Sequence, residues 1–397
     1  MRISLLGTRG VPAAYSGFET AVENIGARLA AHGHVVTVYC RPHMVEGRYR
    51  TYRGMRLVYL PTVPSKHLDT FVHTFLSTLH MAFIMRPHVA VYFIAGNSPF
   101  AGLSRLLGVP SALNVDGLDS QRAKWGGAAK RYLRWAERAA PRLASAVITD
   151  SRSVQDLYRD EFGAETTYIP YGADLDEPAG HGPASAAAQV PAAPHAATAP
   201  AGASDAAPAA TASVLQRFGL QPRGYLLFVG RLVPENNAHV LAEAYAQLQT
   251  DLKLVIVGDA PYADDYKAGL AAFAGERVIL TGYVFGEGYR ELARNAAVFV
   301  VPTEVGGTHP VLLEAMATGN AVVVNDHAPN LEVVGDAGVS YHGEDGARGL
   351  AAVLAELLQD PERIAELRRR ARLRACRLYS WEAVTNAYEA LARSLTK

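Results

Sequence analysis

The stretch from residue 298 to residue 324, VFVVPTEVGGTHPVLLEAMATGNAVVV, contains two apolar runs separated by a helical segment. Val298–Val301 and Ala321–Val324 are short and continuously apolar, which is typical of strands buried on both faces. Between them a glycine pair is followed by Pro310, and proline is favoured in the first turn of a helix. A buried strand, a helix and a second buried strand predict a parallel α/β sheet covered by helices.

The same alternation of strand and helix patterns occurs in both halves of the chain. In the first half, Glu19–His32 has helical periodicity and lies among several strand-like runs. These runs are Ile3–Leu6, Val35–Tyr39, Val89–Ile94, Ser111–Val115 and Ala146–Thr149. The second half adds further runs to the two described above, and these are Tyr225–Val229, Leu252–Val257 and Arg277–Leu280. Each half therefore predicts its own parallel sheet with helices on both faces.

A change of composition separates the two halves. Residues 178–213 are nearly half alanine, contain six prolines and have almost no large apolar side chain. Such a segment buries too little apolar surface to offset the entropy of ordering it, and its scattered prolines argue against an alanine-rich helix. We predict a Rossmann-like domain over residues 1–177, a disordered linker or loop over 178–213 and a second Rossmann-like domain over 214–380. The amphipathic end, 381–397, could pack back on either domain.

Composition limits the class of protein and its location. The 397 residues suit two domains, and 38 basic residues balance 38 acidic ones, so a nucleic-acid binder, which is usually basic, is not indicated. Two distant cysteines, Cys40 and Cys376, give no disulfide framework and favour the cytoplasm. The amino terminus does not resemble a secretion signal, and the most apolar stretch elsewhere, Phe71–Met85, is too short to span a bilayer. We expect a soluble protein, attached at most to a membrane surface.

The first candidate binding site is the glycine-containing loop that follows the predicted strand Val298–Val301. Gly306 and Gly307 allow the backbone to approach a ligand closely, and free N–H groups at the start of a helix suit a diphosphate. Glu314 lies about one turn into that helix and could accept hydrogen bonds from a ribose. The alternative is a plain strand–turn–helix joint. The nearby carboxylate and the motifs below favour a binding site.

A second candidate site lies in residues 229–237, VGRLVPENN. This segment also follows a strand and precedes a helix, which we expect to begin near Ala238. Arg231 at the strand end can pair with phosphate oxygens. A single arginine is a weak signal, because most surface arginines are only solvated. It gains weight because both candidate sites follow the carboxyl ends of strands, where open α/β sheets bind ligands.

Two segments of the first half also follow predicted strands and are further candidate binding sites. Residues 7–19, GTRGVPAAYSGFE, look like a dinucleotide-binding loop, but the G-x-G-x-x-G spacing is missing and the second strand leads into Cys40 and Arg41 rather than an acidic residue. Acceptor or phosphate binding is therefore favoured over nicotinamide binding. Asp116 follows another strand and could bind an acceptor hydroxyl or act as a base. An Asx-turn at the strand end has similar weight.

Two arginine-rich segments are predicted to be solvated surface. The alternative for the first segment, which lies within residues 131–142, is docking on anionic lipid beside Trp125, Tyr132 and Trp135. Its members, at helical spacing, are Arg131, Arg134, Arg138 and Arg142. The second lies in a late helix and comprises Arg368, Arg369, Arg370, Arg372, Arg374 and Arg377. His309 and His327 lie near the first candidate site, but no cluster has the spacing of metal ligands.

Several long motifs, in this order, resemble those of the retaining glycosyltransferases of family four. That family has the GT-B fold, an α/β fold in which two Rossmann-like domains with parallel sheets face a central cleft. The resemblance is strongest to a bacterial branch that includes rhamnosyltransferases of surface polysaccharide synthesis, and it covers nearly the whole chain outside the alanine-rich segment. The motifs are GTRGVPAAYSGFET from residue 7, NVDGL and RAKW within 114–125, IPYGAD from residue 169, GRLVPENN from residue 230 and GGTHPVLLEAMATG from residue 306.

The resemblance implies roles for individual residues. The C-terminal domain would bind the nucleotide sugar, with Glu314 on the ribose, and Asp116 and Arg231 would be the catalytic residues. The donor-binding set implied in this way is Gly230, Arg231, Asn236, Asn237, Tyr283, Val284, Gly306, Gly307, Thr308, His309 and Glu314. The N-terminal domain would bind the acceptor through Gly10, Tyr15, Gly17, Glu19 and Asn97.

Two positions depart from the family pattern. Many members have a lysine shortly after the arginine, where this chain has Asn236 and Asn237. Many also have a glutamate eight residues before the ribose glutamate, where this chain has Gly306 and the nearest carboxylate, Glu304, is two residues away. One expected phosphate-binding charge is therefore missing, and the contacts to the donor sugar are the least defined part of the predicted site.

The function implied by the resemblance is retaining transfer of a sugar to a lipid-linked saccharide of an exopolysaccharide, capsule or O-antigen. dTDP-rhamnose is the first choice of donor and a UDP-hexose the second. No metal or other cofactor and no nucleic acid is expected, and the enzyme would work in the cytoplasm, with peripheral contact to the inner membrane surface as a further expectation. Two alternatives stay open, a sugar-nucleotide epimerase on the same fold and a non-catalytic sugar-nucleotide-binding protein.

Overall fold

Two α/β units make up the protein. The computed structural model describes residues 1–13, 17–45, 47–63, 65, 68–117, 120, 126–173, 213–260 and 263–396. Each unit is built on a sheet whose strands are mainly parallel, which confirms the predicted fold class. The segment predicted as a linker lies outside the described residues, apart from Ser213 at its end.

The N-terminal sheet has eight strands among the described residues. They are β1 (Arg2–Leu6), β2 (Val35–Cys40), β3 (Thr51–Tyr52), β4 (Met55–Tyr59), β5 (Val89–Phe93), β6 (Ser111–Val115), β7 (Ala146–Thr149) and β8 (Thr167–Tyr168). Their order in the sheet is β3-β4-β2-β1-β5-β6-β7-β8, and only the short β3–β4 pair is antiparallel in this part of the chain. The order changes direction between β1 and β5, so the loops after these two strands flank a crevice at the sheet edge.

The C-terminal sheet repeats this topology with six strands in the described region. They are β9 (Tyr225–Val229), β10 (Lys253–Val257), β11 (Val278–Gly282), β12 (Val298–Val301), β13 (Ala321–Asn325) and β14 (Val339–Tyr341). Their order is β11-β10-β9-β12-β13-β14, with every described pair parallel. Here the order changes direction between β9 and β12. These are the strands that precede the two candidate sites of the second half.

The long interior strands match the sequence patterns, whereas the short ones do not. β5, β6 and β13 are buried at every position, as their continuous apolar runs predict. No strand is predicted from sequence for β3, β4, β8 or β14. These strands have two to five residues and none of them is buried throughout, so they carry no continuous apolar run.

Helices cover both sheets. They are α1 (Gly17–Ala31), α2 (Asp69–His80), α3 (Ser98–Leu106), α4 (Gly127–Leu143), α5 (Arg152–Phe162), α6 (Val214–Arg217), α7 (Ala238–Ala246), α8 (Asp264–Ala271), α9 (Gly286–Asn295), α10 (Pro310–Ala317), α11 (Ala328–Val334), α12 (Gly346–Leu358), α13 (Pro361–Leu378) and α14 (Trp381–Leu395). Local sequence sets both ends of α5. Ser151 caps α5 by accepting from the N–H of Val154 at 3.3 Å, and Gly163 ends that helix at φ 61°.

The last helix packs on the N-terminal unit. Asn114, in β6, donates to the Tyr388 hydroxyl of α14 at 2.5 Å. His32, at the end of α1, bonds to Glu382 at 3.0 Å and to Glu389 at 3.1 Å. The chain therefore returns from the second unit to the first, where α14 packs on α1 and on the sheet.

The two arginine-rich segments differ in their surroundings. All four arginines of the α4 stripe are exposed, beside a half-exposed Trp135, while Trp125 lies outside the described residues. The late set is not a uniformly solvated cluster, so that prediction is wrong for two of its members. Arg368 donates to the carbonyls of Ala296 and Ala297, and burial lowers its pKa to about 10. Arg374 donates to two carbonyls at the end of α11. In the described chain, no helix is both long and apolar enough to cross a membrane.

Candidate functional site

The candidate site lies at the carboxyl ends of β9 and β12, where the order of the C-terminal sheet changes direction. The loop after β9 carries Arg231, and the loop after β12 leads into α10 and Glu314. Asn237 joins the two loops, because its side-chain amide donates to the carbonyl of Pro302 at 3.1 Å. Doubly wound sheets bind ligands at this place, since two neighbouring loops diverge there and leave a crevice.

Arg231 is the cation of this crevice. It is half-buried at the end of β9, and its guanidinium forms no hydrogen bond or ion pair with any described residue. The neighbouring backbone is held firmly: the Gly230 N–H donates to the carbonyl of Val257 at 3.0 Å, and the Asn236 amide donates to the carbonyl of Arg231 at 2.8 Å. The arginine is therefore fixed at its base and available to an anion at its tip.

Asn236 and Asn237 organise the loop. Both direct a side-chain N–H to a backbone carbonyl, as described above. Asn237 also adopts a left-handed conformation, with φ 54°, at the start of α7, which asparagine tolerates better than most residues. The structure thus gives the two asparagines a local role beside Arg231, and neither supplies the charge of the lysine found in many family members.

Glu314 is half-buried on α10 and has a neighbour that the sequence did not reveal. The hydroxyl of Tyr289, on α9, donates to Oε2 of Glu314 at 2.7 Å. Burial and the nearby carboxylate raise the pKa of Tyr289 well above its usual value, so the phenol stays protonated and remains a donor. This contact fixes one oxygen of the carboxylate and orients the group.

Replacing Tyr289 with phenylalanine tests this orientation. The change removes one hydrogen bond to a charged acceptor, worth about 1.5–3 kcal/mol, while the ring keeps its packing. We expect the affinity for UDP or dTDP, measured by calorimetry, to fall by roughly three- to tenfold, because a freer carboxylate binds a diol less well. Tyr245→Phe, which removes a hydroxyl that donates to the carbonyl of Leu252 just before β10, at the opposite edge of the sheet, is the matched control. Equal affinity in both variants would remove Tyr289 from the site.

The β12–α10 loop, residues 302–309, contacts the N-terminal domain. The N–H of Gly307 donates to Oδ1 of Asp116 at 3.2 Å, and the N–H of Thr308 donates to Oδ2 of Asp150 at 2.8 Å. His327 holds the loop from the other side through a 2.9 Å bond to the Gly306 carbonyl. Two of the backbone N–H groups predicted to bind diphosphate are therefore occupied by carboxylates from the opposite domain.

The remaining positions predicted to bind the donor lie at the same edge of the C-terminal sheet. Tyr283 and Val284 follow β11, at the same edge of the sheet, and Tyr283 stacks on Phe285 with ring centroids 5.3 Å apart and planes at 19°. Both aromatic rings are exposed, at 42% and 64%, so they present a flat surface to solvent. His309 precedes the first turn of α10.

The N-terminal domain presents its own loops to the same cleft. Gly10 has φ 116°, and a Cβ there would lie 2.7 Å from the Cys40 side chain, so glycine is required. Glu19 accepts from the N–H of Arg9 at 3.0 Å and orders this loop. Gly17 begins α1 so near the start of α10 that a Cβ on it would lie 2.9 Å from the Pro310 ring. The starts of α1 and α10 therefore face each other across the cleft.

The other predicted acceptor residues are divided between several places. Asn97 is buried and donates to the carbonyls of Phe93 at 2.7 Å and Gly7 at 3.4 Å, so it joins the loops after β1 and β5. Tyr15 lies outside the described residues. Asp116 lies at the cleft, at the end of β6. No group of three or more His, Cys, Asp or Glu side chains within the described part of the chain could hold a metal ion.

Asp150 faces the β12–α10 loop and is not among the residues predicted from the sequence. It follows β7 directly, just as Asp116 follows β6, and both face the β12–α10 loop. That repeated pattern, an aspartate immediately after a buried strand, was the available signal. Burial and the neighbouring Asp116 raise the pKa of Asp150 above its usual value.

Two family models match the chain, one for each domain. Residues 16–172 match the glycosyl transferase 4-like domain, and residues 223–360 match the glycosyl transferases group 1 domain. The alpha-maltose-1-phosphate synthase of Mycobacterium tuberculosis is 33% identical over 192 residues, which cover 44% of this chain and 49% of that protein. The O-antigen chain mannosyltransferase B of Escherichia coli is 32% identical over 195 residues, which cover 46% and 50%. The chain thus matches about half the length of each relative.

Solved structures extend the likeness to the whole chain. Sucrose-phosphate synthase from Thermosynechococcus elongatus has a TM-score of 0.80 at 20% identity, with 99% of this chain and 98% of that chain covered. HepE from Anabaena in complex with UDP-glucose has a TM-score of 0.73 at 16% identity, with 99% and 100% covered. Likeness at these identities shows the fold, which is GT-B. The chain therefore carries a glycosyl transferase 4-like domain followed by a glycosyl transferases group 1 domain in the GT-B arrangement.

Proposed function

We propose that the protein is a retaining glycosyltransferase that moves a sugar from a nucleotide-diphosphate donor to a lipid-linked saccharide in surface polysaccharide synthesis. The proposed donor is dTDP-rhamnose, with a UDP-hexose as the alternative. The observation that carries the proposal is the placement of Arg231 and Glu314 at the switch point of the C-terminal sheet, the place between β9 and β12 where the strand order changes direction. Arg231 lies on the loop after β9, and Glu314 lies on α10, which follows the loop after β12. The two matched domains and the O-antigen mannosyltransferase among the relatives support the same class of reaction.

The proposed binding mode follows from the chemistry of these side chains. Arg231 pairs its guanidinium with oxygens of the diphosphate, for which a forked donor is suited. Glu314, oriented by Tyr289, accepts hydrogen bonds from the ribose hydroxyls. The exposed rings of Tyr283 and Phe285 lie beside the base.

The proposed reaction exchanges one bond at the anomeric carbon. The bond from that carbon to the diphosphate oxygen breaks, and a bond to the acceptor oxygen forms on the same face of the sugar. The acceptor proton passes to the leaving diphosphate, while Arg231 stabilises the negative charge that develops there. Asp116 holds the acceptor hydroxyl in line from the opposite domain. No metal ion is proposed, because the Arg231 guanidinium supplies positive charge at the diphosphate.

A lipid-linked acceptor would place the N-terminal domain against the inner membrane surface. The exposed arginines of α4, beside Trp135, are the surface we propose for that contact, since basic and aromatic side chains interact with anionic headgroups and the interface.

A thermal-shift screen against nucleotide sugars, followed by a transfer assay, tests the proposal. A ligand at a hundred times its Kd stabilises the native state by about 2.7 kcal/mol, so dTDP-rhamnose or a UDP-hexose is expected to raise the melting temperature clearly. With that donor and a diphosphate-lipid-linked sugar, NMR should show a product with the anomeric configuration of the donor. Inverted configuration, an epimer formed from the donor alone, or binding without transfer would each contradict the proposal.

A further inference from the structure

We propose that Asp150 is a positioning residue that, together with Asp116, clasps the β12–α10 loop and holds the two domains in the arrangement that aligns donor and acceptor. The interdomain clasp consists of Asp116 and Asp150 on one side and Gly307 and Thr308 on the other. The clasp itself is a set of contacts in the structure, and only its role in aligning substrates rests on the proposed function.

The contacts of the clasp centre on a buried carboxylate, that of Asp150. Besides the two backbone N–H bonds already described, the Thr308 hydroxyl donates to the Asp150 carbonyl at 2.8 Å. Asp150 is fully buried and Thr308 is 4% exposed. Three hydrogen bonds thus run from one loop of the C-terminal domain to the tips of β6 and β7, the neighbouring strands of the other sheet. Hydrogen bonds to a buried carboxylate, such as that of Asp150, are stronger than those at the surface.

The glycines on both sides are explained by this approach of the two domains. A Cβ on Gly307 would overlap the carboxylate of Asp150, and a Cβ on Gly117 would lie 3.3 Å from the backbone of Gly306 and Gly307. The glycine pair of the loop, which the sequence assigns to a ligand, therefore also serves the contact between domains.

The carboxyl groups of Asp116 and Asp150 are neighbours in the clasp. Oδ1 of Asp150 is buried and accepts no hydrogen bond from any donor in the described part of the chain. Two adjacent carboxyl groups form a hydrogen bond when they share one proton. A neutral Asp150 can accept from the Thr308 N–H with Oδ2 and donate to Asp116 through Oδ1. Asparagine at position 150 can make both bonds, whereas alanine can make neither.

Small-angle scattering of full-length variants tests the clasp without any substrate. Asp150→Ala is expected to open the cleft and raise the radius of gyration, and Asp150→Asn is expected to keep the wild-type scattering profile. Thr308→Val removes the hydroxyl bond alone and should give an intermediate profile if Asp150→Ala does not fold. Asp156→Ala, on the exposed face of α5 where Asp156 pairs with Arg159 at 2.6 Å, is the matched control.

Release of nucleotide from the donor found in the thermal-shift screen gives the second readout. Asp150→Ala is expected to lower kcat by about tenfold or more, with the KM for the donor changed less than threefold, because a misaligned closed form slows reaction more than binding. Asp150→Asn should restore most of the rate. Superimposable scattering profiles of wild type and Asp150→Ala, or Asp150→Asn behaving like alanine, would overturn the clasp. If no nucleotide sugar binds the wild type but Asp150→Ala still opens the cleft, the proposed function fails and the clasp stands.

Discussion

Replacing Glu314 with alanine is expected to weaken the binding of UDP or dTDP by about ten- to a hundredfold. The change removes a charged acceptor of the ribose hydroxyls, and hydrogen bonds to charged groups contribute about 1.5–3 kcal/mol, where 1.4 kcal/mol is a factor of ten in Kd. Calorimetry on the full chain measures the affinity directly. Because nucleotide without a sugar is used, the result does not depend on which donor sugar the protein prefers.

Glu314→Gln separates binding from packing. Alanine also leaves the buried hydroxyl of Tyr289 without its acceptor, which costs about 1–3 kcal/mol of stability by itself. Glutamine keeps an acceptor oxygen for Tyr289 but lacks the charge, so it is expected to restore stability while affinity stays low. Glu362→Ala, at the exposed start of α13, controls for the loss of a surface carboxylate. Wild-type affinity in Glu314→Ala would remove this residue from the site.

Replacing Gly258 with alanine is expected to lower stability by about 3 kcal/mol and to abolish nucleotide binding. Gly258 follows β10 with φ 141°, a conformation that costs a side chain about 1–3 kcal/mol, and its Cβ would overlap the carbonyl oxygen of Gly230. Gly230 precedes Arg231, so relief of the overlap must move the arginine. A loss of this size corresponds to a fall in melting temperature of roughly 6–12 °C for a domain of 150–250 residues.

Gly269→Ala is the matched control for that substitution. Gly269 lies in α8 of the same domain, and a Cβ there meets no atom within 4 Å. Alanine is favoured over glycine in a helix by about 0.5–1 kcal/mol, so this variant should melt at or slightly above the wild-type temperature and bind nucleotide normally. A Gly258→Ala variant with the melting temperature and nucleotide affinity of the wild type would show that the close contact between the loops after β9 and β10 tolerates a side chain at position 258.

The interior of the fold could be predicted from the sequence, but its margins could not. The runs that became β6, β7, β9 and β12 have the observed bounds, because continuous apolar residues occur only where both faces of a strand are covered. The four unpredicted strands lie towards the sheet margins or in the β3–β4 hairpin, where burial is partial and the pattern disappears. The prediction was wrong for Arg368 and Arg374 because an arginine that donates to the carbonyls at the end of another helix has the same sequence signature as a solvated one.

The candidate site could be predicted by position but not by partner. Arg231 and Glu314 stand out because each follows a buried strand, or lies in the helix just after it, and the order of the strands then brings the two loops together. The sequence does not show which contacts cross between domains. Asp150 and Tyr289 contact residues that lie 158 and 25 positions away in the sequence. Whether carboxylates occupy the Gly307 and Thr308 amides depends on how the two sheets face each other.

The nucleotide is proposed to bind at the switch point of the C-terminal sheet. A crystal structure of the full chain with UDP or dTDP tests this placement most directly. We expect the diphosphate within hydrogen-bonding distance of the Arg231 guanidinium, with the ribose hydroxyls on the carboxylate of Glu314. Nucleotide bound instead on the glycine-containing loop after β1, or away from both of these side chains, would contradict it.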